Sequence, residues 1–447
     1  MFDKILIANR GEIAVRVIRA CKEMGIASVA VYSEADRDCL HVALADECVC
    51  IGPASPKDSY LCQERILSAA LLTGAQAIHP GYGFLSENAE FAAACRKNGI
   101  AFIGPDAECM ARLSDKTSTK EAFAKTALRP IPGAGVLSSA EQAAKEADAI
   151  GYPVMLKARS GGGGRGIRVI HSRGELLQAY PLAVAESEAA FGDGAVYLEK
   201  YVHPARHIEV QILADSEGHV VCLGERDCSV QRRHQKLLEE SPSPAVDSET
   251  RTALFAAVAE AVRAIGYTGA GTLEFLRDPD GNLWFMEMNV RLQVEHAVSE
   301  MLTLVDLVKW QIRTAAGVSL PFSQTDVPMK GAVIECRINA LSPGTVSLLH
   351  VPGGPFVRFE TYLVQGVAVS PFYDSLVGKL IVYAATREEA LRKMRAALCE
   401  LVIDGIETNI SEQLRIISDP RFASLAGKVF RAPKPWYYEQ VMNGTLR

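Results

Sequence analysis

Between Lys4 and Pro105 short apolar runs alternate with amphipathic stretches: Ile5-Leu6-Ile7, a helix from about Glu12 to Met24, Ser28 to Tyr32, then runs at Ala77-Ile78 and Ile100 to Ile103. Strands separated by crossover helices predict a βαβ series and therefore a parallel sheet. In the first helix Ile13, Val17 and Cys21 recur at i, i+4 and form the apolar face. Arg16, Arg19 and Glu23 fall elsewhere, with Arg19 and Glu23 at the spacing of a solvated ion pair. The preceding turn, Ala8-Asn9-Arg10-Gly11-Glu12, holds one glycine where a dinucleotide fingerprint needs three. The expected shape is Rossmann-like without a dinucleotide seat.

Around Leu113 to Lys125 the pattern becomes a charged helix, followed by a loop rich in Pro and Gly at 130–135. This places a boundary near residue 112. The expected units are an N-terminal α/β domain over 1–112, a central domain over 113–320 and a C-terminal domain over 330–447 that opens with Gly331-Ala332-Val333-Ile334-Glu335. Residues 321–329 read as a connector.

Two segments break from ordinary patterning. In Pro153 to Arg168 a strand ends in Lys157 and runs into Gly161-Gly162-Gly163-Gly164 before a second strand. A tight hairpin turn needs one or two glycines, so four favour a lid whose bare amides close over phosphates beside a lysine charge. It is not a Walker A loop, since no Gly-Lys-Ser/Thr follows. In Trp284 to His296, period 2 puts Trp284, Met286, Met288, Val290, Leu292 and Val294 on one face and Glu287, Asn289, Arg291, Gln293 and Glu295 on the other. A solvated outer face is the usual meaning of such alternation, but this row lacks Lys, Ser and Thr and suits a metal and an anion. Glu274 stands alone in the apolar strand Gly271 to Leu276, where an unpaired carboxylate is costly and a divalent cation would relieve it. Glu274, Glu287 and Asn289 are hard oxygen donors of the kind Mg²⁺ takes when phosphates complete its shell.

Composition narrows the class. Among 447 residues, 49% are hydrophobic and the formal net charge is -6, which suits a folded globular protein without the basic footprint of a nucleic-acid binder. The basic run Arg232-Arg233-His234-Gln235-Lys236 would by itself normally be a solvated loop or a nucleic-acid patch, and is equally compatible with an anionic substrate. No apolar run is long enough to span a bilayer, and the first residues lack a secretory apolar stretch. The 11 cysteines include no C-x-x-C pair and are expected to be mostly buried thiols in a reducing cytoplasm, with Cys48 and Cys50 on one face of a strand.

Six segments together resemble the biotin carboxylase family of the ATP-grasp superfamily: Ile7 to Ala14, His79 to Asn88, the Lys157 glycine loop, Glu225 to Lys236, Glu287 to His296, and Glu335 to Ala340. The resemblance implies a Rossmann-like N-terminal domain, a central ATP-grasp domain (α+β) whose lid covers about 131–203, and a C-terminal biotin carboxylase domain. It implies that Lys116, Lys157, Gly163 and Gly164 hold ATP phosphates. Glu199, Lys200, Tyr201, Val202, His207 and His234 would line the adenine and ribose site. Glu274, Glu287 and Asn289 would hold magnesium or manganese, with two ions expected. Lys236, Arg291, Gln293 and Val294 would position bicarbonate for the base Glu295, while Arg337, assisted by Arg291, would stabilise the biotin oxyanion.

The activity implied is ATP-dependent carboxylation of biotin on a separate biotin carboxyl carrier protein, with separate carboxyltransferase subunits and a homodimer formed around Arg19, Glu23 and Arg358. Biotin is not expected on this chain. The expected setting is acetyl-CoA carboxylase in fatty acid biosynthesis. The alternatives are a propionyl-CoA or pyruvate carboxylase, another ATP-grasp ligase such as one making carbamoyl phosphate, or a non-catalytic nucleotide-binding regulator. The sequence departs from the family at Arg159, at Val290 and in a shortened loop, Leu341-Ser342-Pro343-Gly344.

Overall fold

The computed structural model describes residues 1–114, 116–159 and 166–424. The N-terminal strands form a five-stranded parallel sheet in the order Glu47–Cys50, Ala27–Tyr32, Lys4–Ile7, Ala77–His79, Ala101–Phe102. Alternate residues of the central strands enter different cores. Ile5 and Ile7 pack with helix Gly11–Glu23, whereas Leu6 and Ala8 pack with helices Gln63–Thr73 and Ala89–Lys97. Burial on both faces explains why these strands read as continuous apolar runs. Gly11 opens its helix at φ +67°, a conformation side chains disfavour, so the chain turns sharply from strand end into helix. Arg19 and Glu23 do not pair with each other. Arg19 lies 3.6 Å from Glu360 and Glu23 2.5 Å from Lys309, because both are drawn to elements packed against the helix.

The glycine-loop region is a four-stranded antiparallel sheet, Gly133–Val136, Val196–Lys200, Val154–Ala158 and Ile167–Ile170, backed by helices Ala140–Ile150 and Arg173–Phe191. Position 112 falls within helix Ala107–Ser114. Beyond it, an eight-stranded antiparallel sheet runs in the order Leu283–Asn289, Gly269–Arg277, Arg206–Ala214, Val220–Arg232, Gln235–Ser241, Ala332–Asn339, Leu376–Ala384, Val357–Thr361. This sheet is unbroken across the connector expected at 321–329, since Gln235–Ser241 pairs directly with Ala332–Asn339.

The period-2 row over 284–295 holds only in part. The strand ends at Asn289, and a register shift between Glu274 and Phe275 leaves Met286 as an extra residue. Phe285 and Met288 therefore enter the core while Met286 and Glu287 both face the cleft. Residues 290–295 form a turn leading into helix His296–Thr303.

Candidate active site

A cleft of about 1260 Å³ lies between the parallel sheet, the glycine-loop sheet and the long antiparallel sheet. Lys157, Glu199, Tyr201, Val202, His207, His234, Lys236, Glu274, Glu287, Asn289, Arg291, Gln293, Val294, Glu295 and Arg337 all line it. Among the expected residues, Lys200 turns away: strand alternation sends its ammonium to the carbonyls of Gly151, at 2.7 Å, and Tyr152, at 3.2 Å. Gly163, Gly164 and the side chain of Lys116 lie outside the described residues.

Glu295 is at the centre. Its Oε1 accepts from Lys236 Nζ at 2.6 Å and its Oε2 from Arg337 Nη2 at 2.9 Å. Burial favours its neutral form, but Lys236, Arg337 and Arg226 overcome that and hold the carboxyl well below the usual range. Lys236 also reaches Glu209 at 2.5 Å and Glu274 at 3.3 Å. Three carboxylates around one ammonium keep Lys236 firmly charged despite its burial.

Glu274 meets its desolvation cost through several partners at once: His207 Nε2 at 2.8 Å, Asn289 at 2.9 Å, Gln293 at 2.7 Å and Lys236. Burial works against its charge, yet Lys236 and His207 lower its pKa, and burial works against His207, whose pKa Glu274 raises. Glu287 is the direct register partner of Glu274 on the neighbouring strand, so both carboxyls project from the same face into the cleft with Asn289 beside them. This set of two carboxylates and an amide offers the hard oxygen donors that would suit a divalent cation.

A β-bulge explains how Lys236 joins the site. Residues 236 and 239 would lie on opposite faces of a regular strand, but Val230 pairs with Leu238 and Gln231 with Lys236, leaving Leu237 extra. Lys236 and Glu239 thus approach Glu295 from one side, Glu239 through Arg337 Nε at 2.6 Å. The hairpin ahead of Lys236 turns on Arg233 and His234, at φ +49° and +65°, a geometry usually given to Asn-Gly. Two ordinary side chains in this strained turn bring His234 to the cleft.

At the other end, the Lys157 and Lys120 ammonium groups both bind the Glu199 carboxylate, and Met155, Ile167, Tyr201, Val202, Leu276 and Met286 give an apolar slot. Arg291 is oriented by Glu87 at 3.0 Å and Asn289 at 3.1 Å. Val294 is fixed by its carbonyl, which accepts from the fully buried Lys379 at 2.7 Å.

Sequence reading missed Glu209, Glu239, Glu87, Lys120 and the role of Arg226. Arg226 is fully buried and ties Glu209, Gln211, Ser299 and Gln293 together at 2.6 to 2.8 Å. The signal that singled out Glu274, an acid in an apolar strand, was also present in Ile208-Glu209-Val210 and Leu237-Leu238-Glu239.

Comparison with known proteins identifies the family. Family models match residues 1–110 ("Biotin carboxylase, N-terminal domain"), 115–323 ("Carbamoyl-phosphate synthase L chain, ATP binding domain") and 335–429 ("Biotin carboxylase C-terminal domain"). The chain is 50% identical to biotin carboxylase 1 of Bacillus subtilis (strain 168) over 434 residues, covering 95% of this chain and 96% of that one. It is 51% identical to the biotin carboxylase of Pseudomonas aeruginosa over 431 residues, covering 94% and 96%. Among solved structures, the biotin carboxylase domain dimer of Hydrogenobacter thermophilus 2-oxoglutarate carboxylase, in complex with MgADP, ADP and bicarbonate, superposes with a TM-score of 0.92 at 49% identity, covering 95% and 96%. A biotin carboxylase subunit of pyruvate carboxylase gives a TM-score of 0.82 at 49% identity, covering 96% and 97%. With an ATP-grasp fold, a buried carboxylate clasped by two cations and these relatives over nearly its whole length, the chain belongs to the biotin carboxylase family and is an enzyme of that class.

Proposed function

We propose that the cleft binds ATP, bicarbonate and carrier-bound biotin and transfers the carboxyl group of bicarbonate to biotin. The observation that carries this reading is Glu295 held between Lys236 and Arg337 in the same cleft as the Lys157–Glu199 end. Adenine would enter the apolar slot beside Tyr201 and Val202, and the phosphates would lie toward Lys157 and Lys116 and the glycine loop. Glu274, Glu287 and Asn289 would hold Mg²⁺ or Mn²⁺, two ions when fully loaded. Bound there, the cations would neutralise charge on the transferring phosphoryl group.

Bicarbonate would sit against Lys236, Arg291, Gln293 and the Val294 backbone. Without an anion, Glu295 is too weak a base, because its two cations favour the carboxylate. Bicarbonate competes for the same cations, which raises the proton affinity of Glu295 as the substrate arrives. Glu295 then takes the bicarbonate proton and the freed oxygen attacks the γ-phosphorus, releasing ADP and forming carboxyphosphate. Its breakdown gives CO₂ and phosphate in a cleft shielded from water. The phosphate takes the ureido N–H proton of biotin, Arg337 and Arg291 stabilise the oxyanion, and the nitrogen adds to CO₂.

ADP release from ATP and bicarbonate, measured with and without free biotin, tests the reading. Stimulation by biotin is expected; its absence in folded, ATP-binding protein would refute it. The finer assignment is the carboxylating subunit of an acetyl-CoA carboxylase, working with a carrier protein and carboxyltransferase subunits, and a pyruvate, propionyl-CoA or 2-oxoglutarate carboxylase is the alternative. Reconstitution with each acceptor decides between them. A homodimer around the Arg19, Glu23 and Arg358 surface is part of the same proposal, tested by sedimentation. All eleven cysteines carry free thiols, seven of them buried, which suits the cytoplasm. Among the described residues no helix is long and apolar enough to cross a membrane.

A further inference from the structure

A pair of buried acids lies directly behind the base. Glu239 and Glu335 occupy facing register positions on neighbouring antiparallel strands, where opposed side chains start about 5 Å apart. Neither is exposed. One oxygen of Glu239 accepts from Arg337 Nε at 2.6 Å, while its other oxygen and both oxygens of Glu335 have no hydrogen-bond donor. Two ionised carboxylates in this state would be costly, and a proton held between them removes much of that cost.

The surrounding charges reach the same conclusion by counting. Arg337 comes from the strand of Glu335, Lys236 from that of Glu239, Lys379 from the adjoining strand Leu376–Ala384, Glu295 from the turn before helix His296–Thr303, and Glu12 and Tyr82 from the N-terminal unit. Cys336, also buried here, stays a thiol because burial raises its pKa. Lys379 serves Glu12 at 3.2 Å, Lys236 serves Glu209, Glu274 and Glu295, and Arg226 serves Glu209. Arg337 alone bonds to the pair, and it is shared with Glu295. With His207 beside Glu274 at 2.8 Å, the cations Lys236, Lys379, Arg226, Arg337 and His207 are still one fewer than the carboxylates Glu12, Glu209, Glu239, Glu274, Glu295 and Glu335, and the one excess acid falls on the two least-partnered groups.

We propose that Glu239 and Glu335 share a proton at neutral pH and act as a positioning pair for Arg337, making the delivery of its guanidinium to Glu295 and substrate dependent on that proton. This rests on the roles assigned above to Glu295 and Arg337. Burial, only partly opposed by Arg337, pushes Glu239 up to about 7, and burial likewise raises Glu335 against the pull of Lys379. While the proton is held, one carboxylate, Glu239, holds Arg337 through Nε and Nη2, both at 2.6 Å, and Nη2 still reaches Glu295 at 2.9 Å. Loss of the proton adds negative charge beside Arg337 and draws the guanidinium back into the sheet. Turnover therefore falls as pH rises through the titration of the pair.

The test is the pH profile of biotin-dependent ADP release in the full-length protein and in Glu335→Gln, whose amide mimics the protonated acid but cannot titrate. The ratio of kcat at about pH 9 to kcat at neutral pH is expected to rise at least about fivefold over the parent. Glu239→Gln, which replaces the charged partner of Arg337 by a neutral amide, is expected to lower kcat by about tenfold or more with the KM for ATP unchanged. Infrared spectroscopy of the parent protein should show a buried protonated carboxyl band at neutral pH that disappears along the same alkaline limb. That readout needs neither activity nor a folded variant. A parent-like alkaline limb in Glu335→Gln, or the absence of the band, overturns the proposal. Failure of biotin to stimulate ADP release in the parent would instead refute the functional reading, leaving the infrared result to decide the pair.

Discussion

Glu295 takes its chemistry from the two cations that clasp it, Lys236 at 2.6 Å and Arg337 at 2.9 Å. Replacing it with Gln keeps the shape of the site and removes the proton acceptor proposed above. Glu295→Gln is expected to bind ATP normally, by calorimetry, and to lose about 10²–10⁴ in turnover, the usual contribution of a general base. Retained turnover would move the base elsewhere. Arg226 makes the contrasting case of a structural charge. It is wholly buried, and its Nε serves Glu209 at 2.6 Å. Arg226→Met strips that carboxylate of one cation and leaves Gln211, Gln293 and Ser299 without a donor. Such a change costs about 3–5 kcal/mol and should appear as a clear drop in thermal midpoint. Residue types marked Glu274 and the polar row that ends at Glu295, and the family resemblance added Lys236, but neither gave Arg226 a role, because a buried arginine is identified only by the acids the fold collects around it.

At the scale of elements, the two β-bulges decide which side chains reach the cleft. Simple alternation placed Glu287 and Asn289 correctly relative to each other, yet it put Met286 in the core and extended the polar row to Glu295. The extra residue at Met286 and the end of the strand at Asn289 changed both. A one-residue register shift leaves no mark in hydrophobicity, since Phe285 and Met286 are both apolar. The helix–strand alternation of the first hundred residues was legible because each run is bounded by turns and buried on both faces. Glu274 and Glu287, opposed on neighbouring strands, would depend on this registry for the cation proposed to bind them both. Glu287→Gln is accordingly expected to raise the Mg²⁺ concentration for half-maximal ADP release by about tenfold or more, with little change in thermal midpoint. An unchanged Mg²⁺ dependence would remove Glu287 from the metal site.

At the scale of the whole molecule, the units read from composition are less separate than their sequence suggests. Ile5, Ile7, Ala30 and Ala77 on one face of the parallel sheet share a core with Leu213, Val221, Leu223, Ala270, Leu292, Leu307, Val308 and Ile312, all from beyond residue 112. Polar ties cross the same boundary: Arg16 to Glu300 at 2.9 Å and Asp306 at 2.6 Å, Glu12 to Lys379 at 3.2 Å, and Arg291 to Glu87 at 3.0 Å. Boundaries read from loops and charge cannot reveal such a core, because an apolar face looks the same whether a helix of its own unit or a distant strand covers it. The consequence is testable by dissection. A polypeptide of residues 1–112 keeps the face covered by helices Gln63–Thr73 and Ala89–Lys97, but loses the partners of its other face and leaves Arg16 and Glu12 without their counter-charges. It is expected to bind a hydrophobic dye and to melt over a broad range, whereas the full chain melts with intrinsic fluorescence and far-UV dichroism changing together. A fragment that melts sharply and excludes the dye would show that the N-terminal unit is stable alone. The Glu87–Arg291 and Glu12–Lys379 contacts would then align the site rather than hold the fold together.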